Sequence, residues 1–413
     1  MKYIKTLTDV KGSFWYQGEI FFFDEQGKIM KIWNPEKDEI RTIALDTDRP
    51  LDRAFVVRGR LLLLDDAIRQ IHVPSHAFVV ENLGIPISDP SILHVIDDKV
   101  YFHDGDGSEN SKYGVYDYNS KKLLFLKDNY TGTFYGNYFL QWLNSYYKMP
   151  FCLRKFSAID GSLEWKIPAS HFNPPGRKGK EHRIFEFIGE HLGVLYFHYG
   201  VRFDSITDMD ILMGRFKGMK PQPTGFFMAI DSASGNVLKI WENYDLVSSK
   251  KKGLKNFFSK KEKMPFSPGL LSVIIPNQNR LIGLDGFIFR EIDLSTNKLK
   301  TNFLKDHFLE NGIWGAHFNL RRKGDILFFV SSSYDQNDKI VAFNFMTQKI
   351  VGQWQLPHVE TIGRRFVVLS AIKISGNYMY ITEMTWDPLK LDRNVHVFDI
   401  SGLSIEPKMK KPF

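Results

Sequence analysis

The chain has 413 residues, of which 43% are hydrophobic, 25% charged and 15% aromatic, a composition typical of a globular protein. No run of about 18 uninterrupted apolar residues occurs, which excludes a membrane-spanning helix, and polar residues from Lys5 to Lys11 interrupt the N-terminal segment before the apolar core of a secretory signal can form. The formal charge of +8 is local: residues 250–263 hold seven lysines and one glutamate, which leaves about +2 for the rest of the chain. A basic surface spread over the whole protein is therefore excluded, and we expect no nucleic-acid partner.

One pattern recurs from the N-terminus to the C-terminus. An apolar pair is followed by Asp or Asn, by a polar turn of three to six residues and by a second apolar strand. The Asp and Asn residues of seven copies are Asn34, Asp117, Asp160, Asp231, Asp293, Asn344 and Asp399. We predict that each short side chain accepts backbone N–H groups about two residues further on and so starts a tight turn. From Asp117 onwards the copies lie 43 to 71 residues apart, which indicates propeller blades with insertions.

A further apolar run precedes each turn, as in EIFFF from Glu19 and DILFFV from Asp325, and another short strand precedes that run. Four strands per unit and about eight units account for nearly the whole chain. The sequence thus predicts an all-β fold, a single β-propeller of about eight four-stranded blades over residues 1–413, with insertions at about 171–183, 200–224 and 245–268. Seven blades stay open as an alternative if the degenerate second unit, which carries Pro74, merges with its neighbour. The N-terminal KYIKTL is predicted to close the ring beside the last blade.

One repeat carries a resemblance. AIDSASGNVLKIW follows the pattern Ala-x-Asp-x-x-Thr-Gly-Lys-x-x-Trp at Ala229, Asp231, Gly235 and Trp241, and so resembles the quinoprotein-like (pyrroloquinoline-quinone-type) β-propellers. This resemblance implies the propeller shape. Quinone enzymes of that group commonly seat the cofactor over adjacent cysteines with a calcium ion beside it, and a chain whose only cysteine is Cys152 has no such pair. We therefore expect the fold without the cofactor.

The single cysteine also bears on where the protein works. Cys152 excludes an internal disulfide and favours a reducing compartment, so we expect a cytoplasmic protein. We expect Cys152 itself to be a buried structural thiol, because its segment MPFCLRKF is typical of a strand.

The two faces of the predicted propeller differ in loop length. One face holds the turns between strands one and two and those between strands three and four. The turns between strands three and four are short. The opposite face holds the links between blades and the loops between strands two and three, which we expect to be long at residues 200–225, 331–339 and 383–394. Long loops on a rigid scaffold are the usual place for binding, so we expect the partner on this face. The predicted partner-binding residues are Arg177, Lys178, Arg202, Arg215, Lys250, Lys251, Lys252, Lys255, Phe257, Phe258, Lys260, Trp314 and Trp386.

These residues lead to a binding hypothesis. The chain would be a non-enzymatic, monomeric propeller that recognises another protein with an acidic surface, in a role such as toxin neutralisation or scaffolding. The alternative is an enzyme, a hydrolase, lyase or quinone-dependent oxidoreductase, with its site in the central funnel. A third possibility is attachment to anionic membranes through KKKGLKNFFSKKEK, whose lysines surround Leu254 and Phe257.

Motifs for specific chemistry are sparse. The loop HDGDGSE offers Asp104, Asp106 and Glu109, carboxylates of the kind that hard cations prefer. It lacks the acidic twelfth position of an EF-hand, so we expect a solvated turn and no metal. Neither a Gly-x-Ser-x-Gly elbow nor a Walker loop occurs, and we assign no catalytic residue.

Overall fold

The structure, a computed structural model, describes the chain in segments. They are residues 1–8, 10, 12–16, 18–24, 26–45, 54–57, 60–64, 68–72, 77–81, 90–96, 98–104, 112–128, 131–142, 152–168, 181–203, 225–243, 271–313, 315–316, 318–333, 336–355, 367–385 and 393–403. For residues 54–96 and for several strand ends beside the gaps, the description covers the backbone only.

The described strands form eight antiparallel sheets of four strands each. Blade 1 consists of β2 (Ser13–Tyr16), β3 (Glu19–Phe23), β4 (Ile29–Asn34) and β5 (Glu39–Ala44), and blade 2 of β6 (Ala54–Val57), β7 (Arg60–Leu64), β8 (Ile68–His72) and β9 (Ala77–Glu81). Blade 3 consists of β10 (Pro90–Ile96), β11 (Lys99–Asp104), β12 (Lys112–Asp117) and β13 (Lys122–Asp128). Blade 4 consists of β14 (Thr131–Tyr135), β15 (Tyr138–Trp142), β16 (Leu153–Ser157) and β17 (Leu163–Ile167).

Blades 5 to 8 follow the same order. Blade 5 consists of β18 (Glu181–His191), β19 (Val194–Phe203), β20 (Gly225–Asp231) and β21 (Val237–Asn243), and blade 6 of β22 (Leu271–Ile275), β23 (Arg280–Asp285), β24 (Ile288–Asp293) and β25 (Lys298–Phe303). Blade 7 consists of β26 (Phe318–Lys323), β27 (Ile326–Ser333), β28 (Gln336–Asn344) and β29 (Lys349–Gln355). Blade 8 consists of β30 (Val367–Ser375), β31 (Tyr378–Thr385), β32 (Arg393–Asp399) and, as its fourth strand, β1 (Lys2–Leu7). The degenerate second unit forms a complete sheet of its own, β6 to β9.

The chain ends meet in blade 8. β1 pairs antiparallel with β32, from Lys2 opposite Asp399 to Leu7 opposite Val395. The ring is therefore closed by hydrogen bonds between the first strand of the chain and the last, as the sequence predicted for KYIKTL.

The seams between blades form the core. Counted from the turn between the first two strands of a blade, odd-numbered residues of the second strand face the next blade and even-numbered residues face the previous one. In β19, Tyr196 packs with Leu281 of blade 6, whereas Leu195 and Phe197 pack with Leu140 of blade 4. Apolar clusters of this kind fill the six seams from blade 3 round to blade 1. The first strands of blades 1 and 2, and of blades 2 and 3, are also in contact, which completes the ring.

Little else is regular. Helix α1 (Lys305–Glu310) buries Phe308 against the seam of blades 6 and 7. Cys152 is 4% exposed, which confirms the expected buried thiol. No helix in the described segments is both long and apolar enough to span a membrane.

Strands run on into three segments where loops were expected. β31 continues to Thr385 and β32 begins at Arg393, both within the predicted loop at residues 383–394. β27 continues to Ser333 and β28 begins at Gln336, so the predicted loop at residues 331–339 is wrong. Likewise β19 continues to Phe203, into the segment predicted to be a loop from residue 200. Polar residues and glycine interrupt these segments and obscure the apolar pattern by which strands are recognised.

Candidate functional site

Most of the predicted binding residues lie outside the described part of the chain. Arg202 is on β19, opposite His182 of β18, and its backbone alone is described. Asp104, of the weak metal candidate, ends β11, again with its backbone alone described. The residues outside the described segments are Arg177, Lys178, Arg215, Lys250, Lys251, Lys252, Lys255, Phe257, Phe258, Lys260, Trp314, Trp386, Asp106 and Glu109.

The face that holds the turns between strands one and two and between strands three and four is here called the short-turn face. On it, every predicted Asp or Asn accepts at least one backbone N–H two or three residues further on. Asn344 Oδ1, for example, accepts the N–H groups of Met346 at 3.0 Å and Thr347 at 2.9 Å. Backbone and serine donors of this kind lower the pKa of Asp160 to about 2. The predicted turns are confirmed, and their acidic residues serve the backbone.

Further hydrogen bonds tie the turns of this face together. In five blades the residue after the Asp or Asn donates its N–H to a carbonyl of the turn between strands one and two; these carbonyls belong to Asp98, Gly193, Asn279, Asp325 and Asn377. In blade 4 the donor is Ala158, the residue after β16, and the acceptor is the carbonyl of Asn137. Side chains then link neighbouring blades. Tyr138 Oη donates to Glu190 at 2.7 Å, and Lys323 Nζ donates to Asn377 at 3.1 Å. The short-turn face is therefore a hydrogen-bonded surface of nearly uniform turns.

Two tryptophans fasten a blade to the turn of the next one. Trp165 Nε1 of β17 donates to the carbonyl of Ser232 at 2.9 Å, and a Cβ at Gly235 would lie 2.9 Å from the Trp165 ring. Trp241 Nε1 of β21 donates in the same way to the carbonyl of Asn297, at 3.1 Å. The Trp and Gly of the repeat pattern thus act as a joint between blades.

A buried lysine strengthens the same seam of blades 4 and 5. Lys155 is 7% exposed, and its Nζ donates to the Ser232 carbonyl at 2.8 Å. It also pairs with Glu164 at 2.9 Å and lies 4.4 Å from the centre of the Tyr138 ring. With these partners the buried charge is compensated, and Lys155 holds the blades together.

The seam of blades 5 and 6 also contains polar side chains. His198 is the fifth residue of β19 and so faces blade 6, where Arg290 of β24 lies opposite Gly283, which has no side chain. His198 is 5% exposed and Arg290 2%. Nδ1 of His198 has no hydrogen-bond partner within the described residues. Burial, and secondarily the Arg290 charge, lower the pKa of His198 to about 3, so its imidazole is neutral.

Two exposed cations lie on the first strands of blades 7 and 8. These strands approach each other at the inner end of the blades, where a propeller encloses its central channel. Arg321 of β26 and Lys373 of β30 are both exposed. Because blades flank a first strand on both sides, exposed side chains on it are expected to border the central channel. Neither residue was predicted from the sequence. Lys373 is a basic residue in the otherwise apolar stretch AIKI, which is a signal, whereas Arg321 lies in FNLRRK among other polar residues and gives none.

Arg321 and Lys373 are positively charged and so cannot act as ligands of a metal ion. Within the described segments, no three His, Cys, Asp or Glu side chains are grouped so that they could hold a metal ion. Arg321 and Lys373 supply hydrogen-bond donors and positive charge. What this arrangement can hold is an anion.

No protein-family model and no curated protein matches the sequence. Among solved structures, Sqt1 of Saccharomyces cerevisiae aligns with 97% of this chain and 99% of its own at 10% identity and a TM-score of 0.55. The computationally designed Ika8 protein aligns with 97% of this chain and 100% of its own at 9% identity and a TM-score of 0.52. BamB of Moraxella catarrhalis aligns with 96% of this chain and 99% of its own at 9% identity, with a TM-score of 0.40. The likeness is one of fold.

Proposed function

We propose that this chain is a protein-binding β-propeller whose partner meets the face opposite the short-turn face, here called the long-loop face. The observation that carries the proposal is the length of one hairpin. β18 and β19 have 11 and 10 residues, whereas β14 and β15 have five each. Both hairpins start at the short-turn face, so the extra residues lie on the long-loop face. At 3.3 Å per residue the extension adds about 16 Å, a projection suited to contact with a partner.

Strand direction supports the same face. β17 of blade 4 and β19 and β21 of blade 5 all run away from the short-turn face, so these three strands end on the long-loop face. In the chain they are followed by residues 169–180, 204–224 and 244–270. Most of the predicted basic residues belong to these three segments. We therefore propose a partner with an acidic surface, which a local excess of lysine would attract.

The finer parts of the proposal rest on individual features. The docking of Trp165 and Trp241 supports kinship with the quinoprotein-like propellers. The single buried cysteine supports a cytoplasmic location. A monomer, with a toxin-neutralising or scaffold role, would fit a ring whose seams are already filled by its own blades.

One observation favours the enzyme alternative. An active site in the central funnel requires polar side chains on the innermost strands, and Arg321 and Lys373 are exposed side chains of such strands. An enzyme would use these two side chains to hold an anionic substrate, so identifying their ligand would also test the enzyme alternative.

The binding proposal is tested by charge reversal. The variant Lys250→Glu, Lys251→Glu, Lys252→Glu, Lys255→Glu changes four charges in the basic segment. The control Lys37→Glu, Lys122→Glu, Lys298→Glu, Lys349→Glu makes the same change at exposed sites of the short-turn face. Proteins retained by the immobilised full-length wild type are identified, and the strongest is purified for titration calorimetry.

We expect the control to bind this partner like the wild type, and the test variant to bind at least about tenfold more weakly, since close interfacial charges contribute more than 1.4 kcal/mol. Equal affinity of the test variant and the wild type would contradict the proposal. So would an equal loss in the control, because the effect would then be one of net charge.

A further inference from the structure

The first strands of blades 7 and 8 carry positive charge at the same height. Arg321 pairs with Phe328, and Lys373 pairs with Tyr380. Phe328 and Tyr380 are each the third residue of the second strand in their blade. The two cations therefore lie at the same height on neighbouring first strands, and both are open to the channel.

The two cations influence each other. Although Lys373 is exposed, the blades around it partly desolvate its ammonium and so lower its pKa; the charge of Arg321 lowers this pKa further. Within the described residues neither side chain forms an ion pair with a carboxylate. The pair thus concentrates positive charge in a confined space.

Both cations keep donors to spare. Arg321 Nη1 donates to the carbonyl of Leu320 at 2.9 Å, and Lys373 Nζ donates to the carbonyl of Ser13 at 3.4 Å. A guanidinium has five N–H groups and an ammonium three, so most of the donors are not used by these bonds. An acceptor that carries negative charge would satisfy them and relieve the repulsion.

Aromatic side chains fix the position of Lys373. Its Nζ lies 5.6 Å from the centre of the Tyr380 ring. Trp15 of blade 1 stacks on Tyr380 with ring centres 6.0 Å apart and on Tyr378 at 5.4 Å. The lysine is therefore held between blades 8 and 1, and its charge does not move freely in solvent.

We propose that Arg321 and Lys373 bind the oxyanion of a small molecule that enters the central channel, a carboxylate or a phosphate group. The guanidinium fork matches two oxygens of either group, and the ammonium adds a point charge from the neighbouring blade. The carbonyl of Ser13 orients the ammonium from blade 1. The site is independent of the long-loop face.

Lysine footprinting of the full-length protein tests the site without a variant. Reductive methylation is followed by peptide mass spectrometry, with inorganic phosphate, acetate or chloride at equal ionic strength. We expect phosphate or acetate to slow the modification of Lys373 relative to chloride. The exposed Lys298 in a turn of blade 6 is the internal control, and its rate should stay the same. Equal modification of Lys373 under all three conditions would overturn the proposal.

Calorimetric titration with the same two anions identifies the group and the residues. The double variant Arg321→Gln, Lys373→Gln should bind at least about tenfold more weakly than the wild type, because a hydrogen bond to a charged group contributes roughly 1.5–3 kcal/mol. The control Lys298→Gln, Lys349→Gln loses the same charge from the surface and should bind like the wild type. Binding of phosphate alone or of acetate alone assigns the site to that group. The proposal is refuted if the wild type binds neither anion, or if both variants lose the same affinity for it.

Discussion

At the scale of single residues, the polar side chains buried between blades have separate tasks. Lys155 is compensated by a carboxylate, a carbonyl and an aromatic ring, so its charge holds two blades together. His198 lies beside the Arg290 charge, and a second positive charge there would be strongly unfavourable. His198 is therefore a point at which the fold is sensitive to acid.

This sensitivity has a definite sign. The folded His198 stays neutral down to a pKa of about 3, whereas in the unfolded chain it gains a proton near pH 6.5. The unfolded state thus binds more protons between these values, and the free energy of unfolding falls as the pH is lowered. His198→Gln, which is neutral throughout, should reduce the slope by up to about 1.4 kcal/mol per pH unit between pH 4 and 6.

Urea unfolding at pH 7, 6, 5 and 4 measures this slope. His191→Gln removes a partly exposed imidazole from the end of β18 and should leave the slope close to that of the wild type. If His198→Gln unfolds with the wild-type slope, His198 is not the acid-sensitive group.

Asn344 allows the turn of a repeat to be tested. It is 7% exposed, and its side chain accepts two backbone N–H groups. Asn344→Ala should lower the free energy of unfolding by about 1–3 kcal/mol, because two partly buried hydrogen bonds are lost. Asn344→Asp keeps the acceptor that other blades use, and should lose less than half as much. Denaturant unfolding compares them, and an equal loss in both variants would mean that packing, not the acceptor, matters.

At the scale of strands and turns, the repeat was visible in the sequence because it is local. An Asp or Asn and the N–H groups that it accepts lie within three residues, so composition and spacing suffice to find the turn. His198 lies near Arg290, and Arg321 lies near Lys373, but in each case the two residues belong to different blades. Such pairs depend on register and on blade order. A single sequence does not contain them as a spacing, and so they were missed.

The projecting hairpin of blade 5 was missed for a different reason. Residues 200–203 were assigned to a loop, yet they continue β19 opposite residues 181–184. Gly200 and Arg202 interrupt the apolar run of β19, and the polar segment after residue 203 is typical of a loop. The same holds for Gln336 and Asn337 in β28.

At the scale of the whole molecule, stability depends on a closed ring. β1 contributes Leu7 to the apolar seam of blades 8 and 1, and Tyr3 stacks on Trp354 of blade 7 with ring centres 5.2 Å apart. Without β1 the edge of β32 would be open to pairing with other chains.

Deletion of residues 1–8 tests the closure. We expect a loss of at least about 3 kcal/mol in the free energy of unfolding, from the burial of Leu7 and its neighbours, and oligomers in size-exclusion chromatography. A circular permutant that carries residues 1–8 after residue 413 supplies the same strand from the other end and should stay monomeric. Wild-type stability of the deletion variant would show that β1 is dispensable.

The pairing of β1 with β32 also sets the order of events during synthesis. β1 is synthesised about 390 residues before β32, and at 5–20 residues per second its partner follows after about 20–80 s. Until then seven blades can form in succession, while residues 2–7 remain without their strand. The growing chain is therefore most exposed to misassembly at β1, and a chaperone that binds this strand would protect the step on which the finished ring depends.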